Sequence, residues 1–365
     1  MSTQKTYFAK QLYTGEKLLA SHAVIVDNGI IAEIVPAASL SPDIDQITPV
    51  EILAPAFIDL QVYGAGGKLF GAFPEVDSLK RLAEHNKRSG TSGCLVTIAT
   101  NSTDVFKKGI DAIREYWSQK GEGILGLHIE GPWINPEKKG AHIGSLIRKP
   151  ILKEIQELLD CGKGVIKMIT LAPEYCNSEL IAVFQSHHII ISAGHSNASY
   201  AEAMKIFDGG VEAVTHLFNA MSPFHHREPG LAGAAMDHSR VMASIIPDGH
   251  HVDYAAIRVA KAVMKERLFA ITDAVTETNT GHYHHQPMGN KFESGGVLSG
   301  SMLTMLDALR NLVQQVRIEL GEALRMCSTY PARLMKQDNE AGYIKIGKPA
   351  NLVALDHELR SASLI

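Results

Sequence analysis

Four residues set the chemistry to be explained: Glu130 in His128-Ile129-Glu130-Gly131-Pro132, His195 in Gly194-His195-Ser196, His216 in Thr215-His216-Leu217, and Asp273 in Thr272-Asp273-Ala274. Two imidazoles and a carboxylate form the ligand set of a catalytic zinc-type ion, which keeps at least one position open for water. A further carboxylate beside such a water can take its proton and pass it to a leaving group, as general base and then general acid. Each residue also has an ordinary alternative. Histidines at strand ends are often hydrogen-bonded surface residues, and with 17 histidines some fall there by chance. The metal reading needs Glu130, His195, His216 and Asp273 on one rim, although they are far apart in the chain.

The surrounding pattern supplies such a rim. Apolar, β-rich segments recur at 52–60, 91–99, 124–129, 165–170, 189–193, 213–217, 242–246 and 269–272. Amphipathic helices are expected between most of them, at 76–89, 103–119, 151–161, 178–186, 199–207 and 254–265. Eight strands in series with intervening helices predict an α/β fold, a (β/α)8 TIM barrel. The strands are nearly continuous apolar runs, as a sheet covered on both faces requires. Sites in this fold occupy the C-terminal ends of the strands, and strands three, five, six and eight end at Glu130, His195, His216 and Asp273. Further helices are expected at 301–315 and 321–328, with another turn from Pro331.

Both termini read differently. Segments 23–26 and 30–35 flank Asp27-Asn28-Gly29, a hairpin signal. Two more strands are expected at 342–346 and 351–355, around Gly347-Lys348-Pro349. Neither end can bury its own core. Residues 1–50 and 340–365 are therefore expected to form one small β-sandwich-like domain beside a catalytic barrel over 51–339. Within the barrel, 276–299 is polar, histidine- and glycine-rich and without period. A loop of this length is usually functional, and here it is expected to cover the substrate.

Other candidates carry two readings each. Asp59 either orients a ligand from behind or is a structural carboxylate. Arg227 and His251 suit an anionic group, a guanidinium matching phosphate geometry, or else form surface ion pairs. Gly64, Gly66 and Gly67 lack the context of a phosphate-binding loop and read as backbone clearance.

Composition excludes several classes. A net charge of −4 without a long basic run argues against nucleic acid as an obligate partner. Cys94, Cys161, Cys176 and Cys327 are scattered, with no C-x-x-C pair, which fits thiols in a reducing compartment. The opening Met1-Ser2-Thr3-Gln4-Lys5-Thr6-Tyr7 has no export-type apolar region, and no apolar run reaches about 18 residues, so a cytoplasmic location away from membranes is expected.

Longer motifs add a resemblance. They are Pro55-Ala56-Phe57-Ile58-Asp59 followed by Gln61, His128-Ile129-Glu130-Gly131-Pro132-Trp133 continuing to Lys139-Gly140-Ala141-His142, and Ala172-Pro173-Glu174. They continue with Thr215-His216-Leu217-Phe218-Asn219-Ala220-Met221, Pro247-Asp248-Gly249-His250-His251 and Leu303-Thr304-Met305. With these the chain resembles the N-acetylglucosamine-6-phosphate deacetylases of the amidohydrolase superfamily. The resemblance implies metal-dependent hydrolysis of N-acetylglucosamine 6-phosphate to glucosamine 6-phosphate and acetate. The alternative is a related substrate such as N-acetylgalactosamine 6-phosphate.

It further implies that Glu130, His195 and His216 hold one divalent ion per subunit. Zinc is the first choice, and iron, manganese and cobalt suit the same ligands. Asp273 would be the catalytic carboxylate, and His142, next to Ala141, would polarise the acetamide carbonyl. Asn219, Ala220 and Arg227 would line the sugar phosphate site, and the backbone around Leu298 and Ser299 would close over it. His251 would contact phosphate across a homodimer interface. Superfamily members often carry two histidines at the end of strand one and bind two ions. Gln61-Val62-Tyr63 stands there instead, which favours a single ion. Tyr63 replaces the asparagine of the familiar single-metal pattern, a change that would reshape the pocket floor.

Overall fold

The structure is a computed structural model that describes residues 4–40 and 47–365. The first three residues of the opening segment lie outside the described residues. Two compact units are present, one within Met1–Ile58, Asn86–Ser92 and Thr304–Ile365, the other formed by Asp59–His85 and Gly93–Leu303.

The first unit draws strands from both ends of the chain into a six-stranded sheet. Its order is Ala362–Leu364, Leu352–Leu355, Ile47–Pro55, Lys5–Tyr13, Leu18–Asp27 and Ile30–Pro36. Asp27 pairs with Ile30, so the hairpin loop is Asn28-Gly29. Both loop residues have positive φ, 49° and 79°, as a type I′ turn demands. Tyr7, Leu12, Val24, Ile31, Leu53 and Leu352 form the buried cluster that justifies the fold of this sheet.

Two expectations change here. Segment 342–346 is not a strand: its Ile344 N–H donates to the Thr14 carbonyl, and just beyond it the Gly347 N–H donates to the Ile31 carbonyl. The second C-terminal strand is instead Ala362–Leu364, antiparallel to Leu352–Leu355. The apolar run 52–60 is also two strands: Ile47–Pro55 belongs to the first sheet, and from Phe57, whose N–H donates to the Gly90 carbonyl, the chain enters the second.

The second sheet is the expected barrel. Its strands are β1 (Phe57–Val62), β2 (Thr91–Ala99), β3 (Ile124–Glu130), β4 (Ile166–Leu171), β5 (Ile190–Ala193), β6 (Ala213–Val214), β7 (Met242–Ile245) and β8 (Leu268–Ala270), hydrogen-bonded in chain order. Beyond the ends of β1 and β8 the seam continues through Asp273 N–H to the Gln61 carbonyl and Tyr63 N–H to the Ala274 carbonyl, both 2.9 Å. Helices fill the intervals as expected, with ends within about two residues. Gly230–Asp237 is an additional helix between β6 and β7. Seven of its eight residues, Gly230 to Met236, are buried, so it has no polar face and no period to detect. Segment 276–299 folds into three short antiparallel strands, Gln286–Met288, Lys291–Ser294 and Val297–Leu298. Its two-residue turns, Gly289-Asn290 and Gly295-Gly296, are hairpin signals that the polar composition obscured.

A directed polar chain crosses the barrel interior. The Leu60 carbonyl accepts from His128 Nδ1 at 3.1 Å, so His128 Nε2 accepts from Thr170 Oγ1 at 2.7 Å. Thr170 is bonded to Thr215 at 2.6 Å, and Thr215 to Ser192 at 2.6 Å. His128, Thr170, Ser192 and Thr215 are fully buried, and burial lowers His128 to about 4, so it remains neutral. Thr170→Val keeps the shape but leaves His128 Nε2 without its donor. We expect a loss of about 1–3 kcal/mol in urea unfolding; an unchanged midpoint and slope would refute the directed chain.

Candidate active site

The expected rim exists. Glu130 is the last residue of β3, while His195, His216 and Asp273 each follow β5, β6 and β8 by two or three residues. His195, His216 and Asp273 have φ of 48°, 36° and 53°, and Phe218 and Ala220 share the left-handed region at 78° and 49°. Such backbone costs about 1–3 kcal/mol per residue and persists only where neighbours over-determine it. The neighbours are visible: His216 N–H donates to Ser244 Oγ at 2.8 Å, and Asp273 N–H is held in the barrel seam.

The ligand atoms converge. His216 Nε2 lies 3.0 Å from Glu130 Oε1, His195 Nε2 lies 3.3 Å from the same oxygen, and the two ring nitrogens are 3.1 Å apart. All three residues are buried, and together they are a group able to hold a metal ion. The chemistry of the donor set fits that use. His195 Nδ1 donates to the Lys138 carbonyl at 2.9 Å, leaving the Nε2 lone pair turned toward the centre. Ligands at about 2.0–2.1 Å from one tetrahedral ion lie roughly 3.3 Å apart, the spacing that these atoms approach. Burial alone would raise Glu130, but His195, His142 and His216 override it and hold the carboxyl well below its usual range. His216 differs from His195 in one respect: its Nδ1 is buried without a hydrogen-bond partner.

A second layer surrounds the triad. Gln61 Nε2 contacts Asp273 Oδ1 at 2.7 Å, Glu130 Oε1 at 3.0 Å and the Tyr63 hydroxyl at 2.8 Å. The Tyr63 hydroxyl donates to Glu130 Oε2. Burial and the charges of Glu130 and Asp273 keep that phenol protonated. His142 Nδ1 receives the Thr100 main-chain N–H at 3.4 Å and lies 2.7 Å from Thr100 Oγ1. A backbone N–H can only donate, so Nδ1 is the acceptor and Nε2 carries the proton. That Nε2–H points at Glu130 Oε2, 3.2 Å away. Burial lowers His142 to about 4, so it is a neutral single donor. Burial, then Glu130 and Asp59, push Asp273 well above the usual carboxylate range; a cation in the triad would act against that shift.

Of the two readings of Asp59, the structure favours the structural one. It accepts from Thr272 Oγ1 at 2.5 Å and from the main chain of Thr272 and Gln61 at 3.2 Å, which clamps the seam between β1 and β8. Burial raises it to about 6.

Ala141, His142, Asn219, Ala220, His251, Leu298 and Ser299 line one pocket with Glu130, His195, His216 and Asp273. His251 lines the pocket of its own chain. Its Nδ1 is bonded to Asp248 Oδ2 at 2.6 Å, and Asp248 Oδ1 also accepts the His250 and His251 N–H groups. Arg227 lies outside this lining, exposed in the turn closed by His225 and Glu228. Sequence reasoning did not single out Tyr283 and His285. They stack on each other and line the pocket, with the Tyr283 hydroxyl on the Thr100 carbonyl at 2.9 Å and His285 Nδ1 on Ser299 Oγ at 3.0 Å. The run His282-Tyr283-His284-His285 inside a polar insertion was the available signal.

Comparison with known proteins agrees with this geometry. Residues 52–364 match the amidohydrolase family, and residues 10–48 match the NagA composite domain. The N-acetylglucosamine-6-phosphate deacetylase of Haemophilus influenzae is 35% identical over 93% of this chain and 92% of its own. The N-acetylgalactosamine-6-phosphate deacetylase of Escherichia coli O157:H7 is 33% identical over 96% of this chain and 95% of its own. The crystal structure of N-acetylglucosamine-6-phosphate deacetylase from Pasteurella multocida superposes with a TM-score of 0.93 at 34% identity, covering 99% of this chain and 98% of that one. On the eight-stranded barrel, the buried triad and these matches together, the chain belongs to the amidohydrolase family.

Proposed function

We propose that this chain hydrolyses the N-acetyl group of N-acetylglucosamine 6-phosphate to give glucosamine 6-phosphate and acetate. The observation that carries the reading is the convergence of Glu130, His195 and His216 in one pocket with Asp273 and the protonated Nε2 of His142. Relatives named for this activity support the substrate class. Glu130, His195 and His216 would hold one divalent ion, zinc first, which when bound acidifies water and polarises the acetamide carbonyl.

The chain's own residues do the rest. Asp273 takes the proton of the attacking water while the new C–O bond forms. It holds that proton and delivers it to the amide nitrogen as the C–N bond breaks, so acetate and a free amine leave. Gln61 fixes the carboxylate by donating to Oδ1. His142 donates its Nε2–H to the carbonyl oxygen as charge collects there. Asn219 and Ala220 line the sugar phosphate side, where His251, backed by Asp248, offers its free ring edge to phosphate.

A homodimer belongs to this reading, as the family resemblance implies, with Arg227 and Phe224, the latter 59% exposed, on this chain's own surface. Cytoplasmic location is supported by the four cysteines, none of which forms a disulfide, as suits a reducing compartment. No described helix is long and apolar enough to cross a membrane.

A second reading takes N-acetylgalactosamine 6-phosphate as substrate, and it is raised by the pocket floor and by the names of two relatives. Tyr63 lines the pocket, and relatives in Escherichia coli and Shewanella carry that activity in their names. Acetate release should therefore be measured on both N-acetylhexosamines, each with and without its 6-phosphate. We expect the phosphorylated gluco-sugar to be preferred. A galacto preference selects the second reading, and indifference to phosphate sinks both.

Two variants test the chemistry. Asp273→Asn should keep its metal but lose about 10²–10⁴-fold in kcat; near-normal turnover would remove Asp273 from proton transfer. Metal analysis should find one ion per chain, lost in His216→Ala. Full retention in that variant would place the ion elsewhere.

A further inference from the structure

The motif Ala172-Pro173-Glu174 has no part in the chemistry above, yet Glu174 binds the two residues that follow one metal-ligand candidate. Its Oε2 accepts from Ser196 Oγ at 2.5 Å, and its Oε1 accepts from the Asn197 N–H at 2.9 Å. These are the two residues that follow His195. The same Oε1 accepts from Asn135 Nδ2 at 2.8 Å.

Asn135 closes the circuit. Its N–H donates to the His195 carbonyl at 2.8 Å, and its side-chain oxygen caps the turn Pro136–Lys138 through the Glu137 N–H at 2.9 Å. Lys138 ends that turn and presents the carbonyl that accepts His195 Nδ1–H. One half-buried carboxylate therefore holds the backbone after His195 and the turn whose carbonyl fixes the ring. The need for such bracing is visible in the 48° φ of His195. His216 has no equivalent, since its Nδ1 lacks a partner.

We infer that Glu174 is a positioning residue for the metal: through Ser196, Asn197 and the Asn135 turn it sets the backbone, ring direction and tautomer of His195. Glu174 touches neither substrate nor ion. The inference rests on the metal reading of Glu130, His195 and His216. It predicts that geometry, not charge, is what Glu174 supplies. A glutamine can reproduce the contacts, its Oε1 accepting from Asn135 and Asn197 while its Nε2 donates to Ser196 Oγ, which has acceptor capacity. Alanine can reproduce none.

The test uses full-length protein loaded with Co²⁺ and, separately, with Zn²⁺. Loss of metal to excess EDTA is timed, and the visible spectrum of the Co²⁺ form is recorded. Glu174→Ala should lose metal about 10–100-fold faster, with an altered Co²⁺ spectrum. Glu174→Gln should retain most of the wild-type lifetime and spectrum. Ser196→Ala, which removes one of the three contacts, should fall between wild type and Glu174→Ala and serves if that variant does not fold. Glu202→Ala is the control, since Glu202 caps the next helix through Ser199 and has no bond to this circuit. It should match wild type.

Wild-type lifetime and spectrum in Glu174→Ala, or in Ser196→Ala where that variant stands in, would overturn the inference. Equal loss in Glu174→Gln and Glu174→Ala would also overturn it, as would equal loss in Glu202→Ala. If wild type itself bound neither metal, the metal reading would fail first and this inference with it.

Discussion

Everything in this molecule answers to one crowded point, where a carboxylate oxygen and two imidazole nitrogens from three strands approach within 3.0–3.3 Å. Brought together and buried without a cation, bare acceptors repel and lose water. The fold must therefore force the approach, and it does so with closed-barrel geometry and with left-handed backbone at His195, His216 and Asp273. The cost of that backbone is offset by hydrogen bonds from the neighbouring strands and loops, such as those to Ser244, Gln61 and Lys138.

Much of this was legible in the chain because two periodicities coincide. Apolar runs mark the strands, and the chemistry falls where each run stops, so Glu130, His195, His216 and Asp273 could be placed on one rim from spacing. What stayed hidden had no periodic signal. The buried helix Gly230–Asp237 is apolar on every side, and the short strands after residue 285 are carried by glycine turns inside a polar segment. Tyr283 and His285 reach the pocket only through that insertion. Asp59 shows a different limit: a carboxylate at a strand end has the same letter whether it serves the site or the seam, and only its partners decide.

The floor beneath the triad is built by Gln61 and Tyr63. Gln61 and Tyr63 bring hydrogen-bond donors against Glu130, and Gln61 reaches Asp273 as well. Neutral donors there hydrogen-bond both nearby carboxylates, Glu130 and Asp273. The ring of Tyr63 also packs with Leu69, Val275, Tyr283 and Phe292, so the wall built by the insertion and the floor beneath the triad share one apolar cluster.

The seam between the first and last strands has a consequence for biogenesis. Gln61 and Asp273 are joined through main chain and side chain together, and Asp273 is the last of the site's reactive groups to be synthesised. A nascent chain synthesised through His216 already carries Glu130, His195 and His216 but lacks the Asp273 carboxylate and still has an open edge. On the proposed chemistry, the group that moves the proton is set in place by the same contacts that close the ring, so site assembly and barrel closure are one event.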